Sequence, residues 1–250
     1  MPLRDHFRPP LSEVWPWHTV HGNWATKMVD RLNGEMLDDR FMSQSGRHFG
    51  AQVEVDVGTP ERVDRGSLFA GANGHAGGVA TEPVVFAAPV PLSAVVGFDD
   101  PDLFEVKGYR GGGGWNLVAA VELVSESNKD RPESRRALAV KVGSYLQQGV
   151  SVVVDTVTNH AANPHAELAD VLRLPPALRW ESPTGLSVVA YRAVRLAPPT
   201  GPAAKLDVWP YPLAVGEQLP TVPLWLAPDL SVPLELERTN AAACHSLRIR

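Results

Sequence analysis

One cysteine, Cys244, stands in 250 residues. It can close no internal disulfide and has no companion thiols for a thiolate zinc site, so the chain reads as a protein of the reducing cytoplasm. No apolar run approaches the roughly 18 residues of a membrane helix, and the opening MPLRDHFRPPLSEVWPWH contains no apolar segment of signal-peptide length. A soluble protein with no membrane partner is expected. Excess positive charge is also missing. A net charge of -5 gives no global field that would gather nucleic acid, so any phosphate-binding surface must be a local patch. Hydrophobic residues at 44% and charged residues at 20% exclude wholesale disorder.

What is plentiful is proline and glycine, and both are unevenly spread. Nine prolines fall between Pro198 and Pro233, interleaved with Trp209, Tyr211, Leu224 and Trp225. Such a stretch is expected to form neither regular sheet nor helix, but an apolar arm wrapped over its own domain or a partner's. Residues 1–197 then form one domain and 198–250 the arm, and an arm that needs a surface points to a homodimer. Glycine is concentrated in residues 58–82, around GANGHAGG, which reads as a loop; it lacks the Lys-Ser/Thr of a phosphate-binding loop.

Between these stretches the patterns are regular. Val20, Trp24, Met28, Val29, Leu32 and Met36 recur at helical spacing and predict a helix over 18–37, with Asn33-Gly34 near its end. AQVEVDV alternates, with Val53, Val55 and Val57 on one face and Gln52, Glu54 and Asp56 on the other. PVVFAAPVPLSAVVGF is apolar but broken by proline, which suits edge strands. LFEVKGYR and WNLVAAVELVS flank GGGG and predict a hairpin. Asp130, Pro132 and Glu133 carry helix-start signals and Gly149 a stop signal, with Asp130 read as the cap. The run Val152–Val154 after it reads as a strand covered on both faces. Shorter signals place a helix at 167–174 and a strand at LSVVAYRAVRL.

The residues with chemical promise sit in the same region. If the GGGG turn is centred near Gly112 and Gly113, one of two registers puts Glu105 and Glu122 on one face of the hairpin, and a slip of one residue separates them. Two such carboxylates can hold a magnesium ion. Lys141 and Tyr145 share a stripe of the following helix at the margin of its apolar face. Each has a plainer reading: Glu122 a buried acid satisfied by an arginine or a backbone amide, Asp56 and Glu105 solvent-facing strand acids, Lys141 a surface lysine, Asn128 and Lys129 turn residues. The pairs His18/His21 and His160/His165 lack an accompanying carboxylate or cysteine pattern for a metal site, and His18 is expected to pack on the tryptophans around it.

VELVSESNK, the helix motif KVGSYLQQGV and an apolar strand ending in Asp155 together resemble the PD-(D/E)XK nuclease-like superfamily. Within it they are similar to the Uma-type restriction endonucleases and to a bacterial domain-of-unknown-function family. Trp15–Trp24 and Val222–Leu236 extend the likeness outward. The resemblance implies an α/β fold with a mixed central sheet flanked by helices, and magnesium- or manganese-dependent hydrolysis of DNA or RNA. It makes Asp56, Glu122 and Lys141 the catalytic set, with Asp56 and Glu122 on the metal and Glu105 assisting. Ser125, Asn128, Lys129 and Tyr145 would support them. The chain departs from the pattern in three places: no Pro-Asp precedes the first strand, no lysine stands two residues after Glu122, and Ser125-Glu126 replaces the usual Ser-Pro. A catalytically inactive scaffold used for protein assembly is the alternative.

Overall fold

A computed structural model describes residues 2–48, 54–62, 82–97, 110–111, 115–125, 130–156, 163–196 and 203–250. The chain is mixed α/β. One large sheet runs in the order β1(Gln44–His48), β2(Glu54–Arg62), β5(Trp115–Leu123), β6(Ser151–Thr156), β7(Leu186–Arg195), β8(Ala203–Leu213), β3(Leu92–Gly97), and the short β4(Arg110–Gly111) also pairs with β5. All its ladders are antiparallel except β5 with β6, which the helix α3(Pro132–Gln147) connects. That crossover is what a parallel pair requires, because a tight turn cannot join strands running the same way.

The sheet is covered on both faces. Ala120, Val152, Val154, Val189 and Tyr191 pack with α3 and α4(Pro164–Val171). Val57, Ala119, Val121, Val153, Val188 and Ala190 pack with α2(Trp17–Arg31), α5(Leu236–Ser246) and the hairpin of β9(Thr221–Ala227) and β10(Leu230–Glu235). Consecutive valines 152, 153 and 154 therefore divide between two cores, and burial of each contributes about 1.5–3 kcal/mol. Trp24 of α2 is fully buried, and its indole N–H donates to Thr239 Oγ1 of α5 at 3.0 Å. Among the described residues no helix is long and apolar enough to cross a membrane.

The helix expected over 18–37 is regular only to Arg31. Around Asn33-Gly34 it widens into a π-helical turn, Leu32–Met36, preceded by the short α1(Leu11–Val14) at the chain's start. Helix α3 begins at Pro132 as expected, but Arg131 is the N-cap residue and no side chain caps it. Its end follows the glycine signal. Gly149 has φ +79°, its N–H bonds Leu146 O, and the N–H of Val150 reaches Tyr145 O, a Schellman arrangement. Helix α4 starts earlier than its apolar pattern indicates, because Asn163 caps it and Pro164 opens it.

Strand β2 continues through Gly58, Thr59 and Pro60 to Arg62, into residues expected to be loop. Pairing with β5 holds it there, with a bulge between Thr59 and Pro60. Strand β3 does lie at an edge of the sheet.

The stretch expected to be an irregular arm is regular: β8, β9, β10 and α5 account for most of it. Its prolines sit where a strand can tolerate them. β3 pairs β8 only from Ala203 to Val208, and beyond that, among the described residues, β8 has a neighbour on the β7 side alone. Pro210 and Pro212 occupy that outer section, two residues apart, so both missing N–H groups belong to one edge. In the two-stranded hairpin Pro223 registers with Pro233, where neither need donate to the partner.

The hairpin is fastened to the sheet by Arg192. Its guanidinium lies 3.8 Å from the Trp225 ring centroid, donates to Pro228 O at 2.5 Å, and forks onto Asp207 Oδ2 at 2.6 and 3.1 Å. Burial alone would raise the Asp207 carboxyl, but hydrogen bonds from Ser93, Arg192 and Lys205 carry it below its usual range.

Candidate active site

The site lies where the start of β2 meets the end of β5. Val57 registers with Val121, so Asp56 and Glu122 are the next residues along the same ladder, on neighbouring strands. On its other side Glu122 registers with Val154 of β6. The strand beside Glu122 is therefore β2, which carries Asp56.

Glu122 belongs to the alternation that sends Ala120 and Val124 into the α3 core, and it is 4% exposed. A carboxylate there must find partners, and α3 supplies two from one face, Lys141 and Tyr145 at i,i+4. Lys141 Nζ donates to Glu122 Oε2 at 2.8 Å, and Tyr145 OH donates to Oε1 at a longer 3.3 Å. Tyr145 is fully buried, whereas the Lys141 side chain stays 31% exposed and links the buried acid to solvent. Burial pushes the Glu122 carboxyl up. Lys141 opposes the rise and the nearby charge of Asp56 adds to it, leaving the group at about 7.

Asp56 is held through both oxygens. The backbone N–H of Leu123 donates to Oδ2 at 2.7 Å, and His21 of α2 approaches Oδ1 with Nε2 at 2.9 Å. A carboxylate only accepts, so Nε2 of His21 carries the proton. The imidazole stacks on Trp17, one helical turn earlier, with centroids 5.7 Å apart and planes 6° from parallel.

Asp56, Glu122, Lys141 and Tyr145 thus come together. Ser125 lies half-buried just beyond the end of β5. Glu105, Asn128 and Lys129 lie outside the described residues. The plain reading of Glu122 as an acid satisfied by an arginine or a backbone amide is replaced by a lysine and a tyrosine. His18 is exposed, and it is His21 that packs on a tryptophan.

His21 is the residue that sequence reasoning set aside, as half of a histidine pair with no accompanying ligand pattern. The available signal was its place one turn after Trp17, on the flank of the helix whose apolar stripe contains Val20 and Trp24. His165, by contrast, is closed in the core: Nε2–H donates to Leu178 O at 2.9 Å, Nδ1 accepts from Tyr191 OH at 2.8 Å, and burial lowers its pKa. Among the described residues no three of His, Cys, Asp and Glu are grouped to hold a metal ion. What the site contains is a pair of carboxylates, a cation and three further donors, Tyr145, His21 and the Leu123 N–H. No family model, no curated protein and no solved structure matches the chain.

Proposed function

We propose that this chain is a divalent-metal-dependent phosphodiesterase acting on nucleic acid, DNA or RNA, with a site of PD-(D/E)XK type. The observation that carries the reading is the meeting of Asp56 and Glu122 on adjacent antiparallel strands with the Lys141 ammonium 2.8 Å from Glu122. The order of the supporting elements adds to it: antiparallel β1, β2 and β5, then a crossover helix, then a parallel β6.

The donor chemistry fits magnesium or manganese. Both groups offer hard oxygen, and the charge of Asp56 raises the cost of ionising Glu122, which a cation beside them relieves. Asp56 and Glu122 would hold the ion, which when bound polarises the scissile phosphate and acidifies water. Tyr145 holds the second oxygen of Glu122 and fixes how the carboxylate is presented. Lys141 has a flexible stem and partial exposure, so its ammonium can move from Glu122 to the phosphate oxygens and stabilise their growing charge.

A second reading is favoured by one observation: all four oxygens of the two carboxylates already have protein donors. In that reading the residues are structural, and the fold is a nuclease-like scaffold for protein assembly. Incubation with DNA and with RNA, in Mg²⁺ or Mn²⁺, separates the two. Cleavage by the wild type that is lost in Glu122→Ala and Lys141→Ala supports the enzyme. Equal cleavage by all three proteins, or none by any, sinks it.

A further inference from the structure

We infer that His21 is a positioning residue of this site, holding Asp56 in the orientation in which its carboxylate receives the metal ion. The inference rests on the functional reading above and extends the site from the sheet and α3 to α2, a helix packed against the opposite face of the sheet.

Two donors hold the Asp56 carboxylate. The Leu123 N–H binds Oδ2 at 2.7 Å and is fixed by the backbone of β5. A single donor leaves a carboxylate free to turn about its χ2 bond. The second donor, His21 Nε2–H at 2.9 Å on Oδ1, removes that freedom and sets the plane of the group. Each oxygen keeps a second lone-pair direction for a cation.

The imidazole is itself fixed. Trp17 lies parallel to its face, and both residues project from α2, whose Trp24 and Met28 are fully buried in the core containing Val57. The rigid path therefore runs from buried helix to stacked ring to Asp56. Both side chains remain partly exposed, 27% for His21 and 19% for Asp56, so the contact is reachable from solvent, as a metal-loading site requires.

Hydrogen-bond partners of a metal-binding group commonly alter metal affinity by about 10- to 100-fold when removed. The test is calorimetric titration of MnCl₂ into the full chain, comparing wild type, Asp56→Asn, His21→Phe and His21→Gln, with a thermal melt of each. Phenylalanine keeps a ring against Trp17 and deletes the donor, while glutamine keeps an N–H donor and deletes the ring. The expected result is Mn²⁺ binding by the wild type that is lost in Asp56→Asn, weakened about 10-fold or more in His21→Phe, and largely restored in His21→Gln. Unchanged affinity in His21→Phe, or equal losses in the Phe and Gln variants, overturns the positioning role and leaves the metal site standing. Absence of Mn²⁺ binding by the wild type, or binding indifferent to Asp56→Asn, overturns the functional reading and this inference together.

Discussion

Replacing Glu122 with glutamine should change how the stability of the fold depends on pH. The Glu122 carboxyl has an ordinary value of 4.5 and stands at about 7 in the folded protein. The folded state therefore binds this proton more tightly than the unfolded chain does, and stability falls as pH rises from 4.5 through 7. At about 1.4 kcal/mol per pH unit the full cost is on the order of 3 kcal/mol, most of it developing between about pH 5 and 8. Glutamine has almost the same shape, accepts from Lys141 through its carbonyl, and does not titrate. His6 and His165, both pushed below the ordinary histidine value mainly by burial, act in the opposite sense, because their contribution is lost as pH falls through 6.5. They are present in both proteins and cancel in the comparison. Urea unfolding of wild type and Glu122→Gln at a series of pH values should show the stability gap moving in favour of the variant by about 2–3 kcal/mol from about pH 5 to 8. Parallel curves would refute the argument, since they would mean that Glu122 ionises in the folded protein as it does in the unfolded one.

Three further outcomes follow from the packing. Gly149→Ala forces a Cβ onto φ +79° with no neighbour to clash, so the backbone strain alone should cost about 1 kcal/mol, visible as a lowered melting temperature. Thr239→Val leaves the Trp24 indole N–H buried without its acceptor and should cost about 1–3 kcal/mol in urea unfolding; a loss below about 0.5 kcal/mol would show that the bond contributes little. Arg192→Met removes both donors on Oδ2 of buried Asp207, leaving Ser93 and Lys205 on Oδ1, and should cost about 3 kcal/mol, with proteolysis near Pro228 increasing as the β9–β10 hairpin loosens; full resistance to protease would count against the fastening role of Arg192.

Much of the fold was legible because its signals are local. The valines at 152 to 154, the alternation ending at Val57 and the stop at Gly149 each state their role within a few residues. The proline-rich end was misread for the opposite reason. Whether Pro210 is compatible with a strand depends on how far β3 runs alongside β8, and β3 lies more than a hundred residues earlier in the chain. Glu122 and Lys141 were readable as a pair because a strand and its crossover helix bring them together. His21 and Asp56 were not, because their contact depends on how α2 lies across the start of β2, and helical periodicity reports which face of α2 is buried without saying what its flank meets.

Pro210 and Pro212 also bear on the behaviour of many molecules together. Among the described residues the outer section of β8 has no strand on its far side, the kind of margin on which a strand from another chain can dock and start a fibril. Two alternate positions there have no hydrogen to offer, so an incoming strand would find its carbonyls unanswered at both. Replacing both prolines would keep the monomer's ladder to β7 and remove this obstacle. The cost would then be paid in solubility at high concentration, with the folded structure itself unaltered.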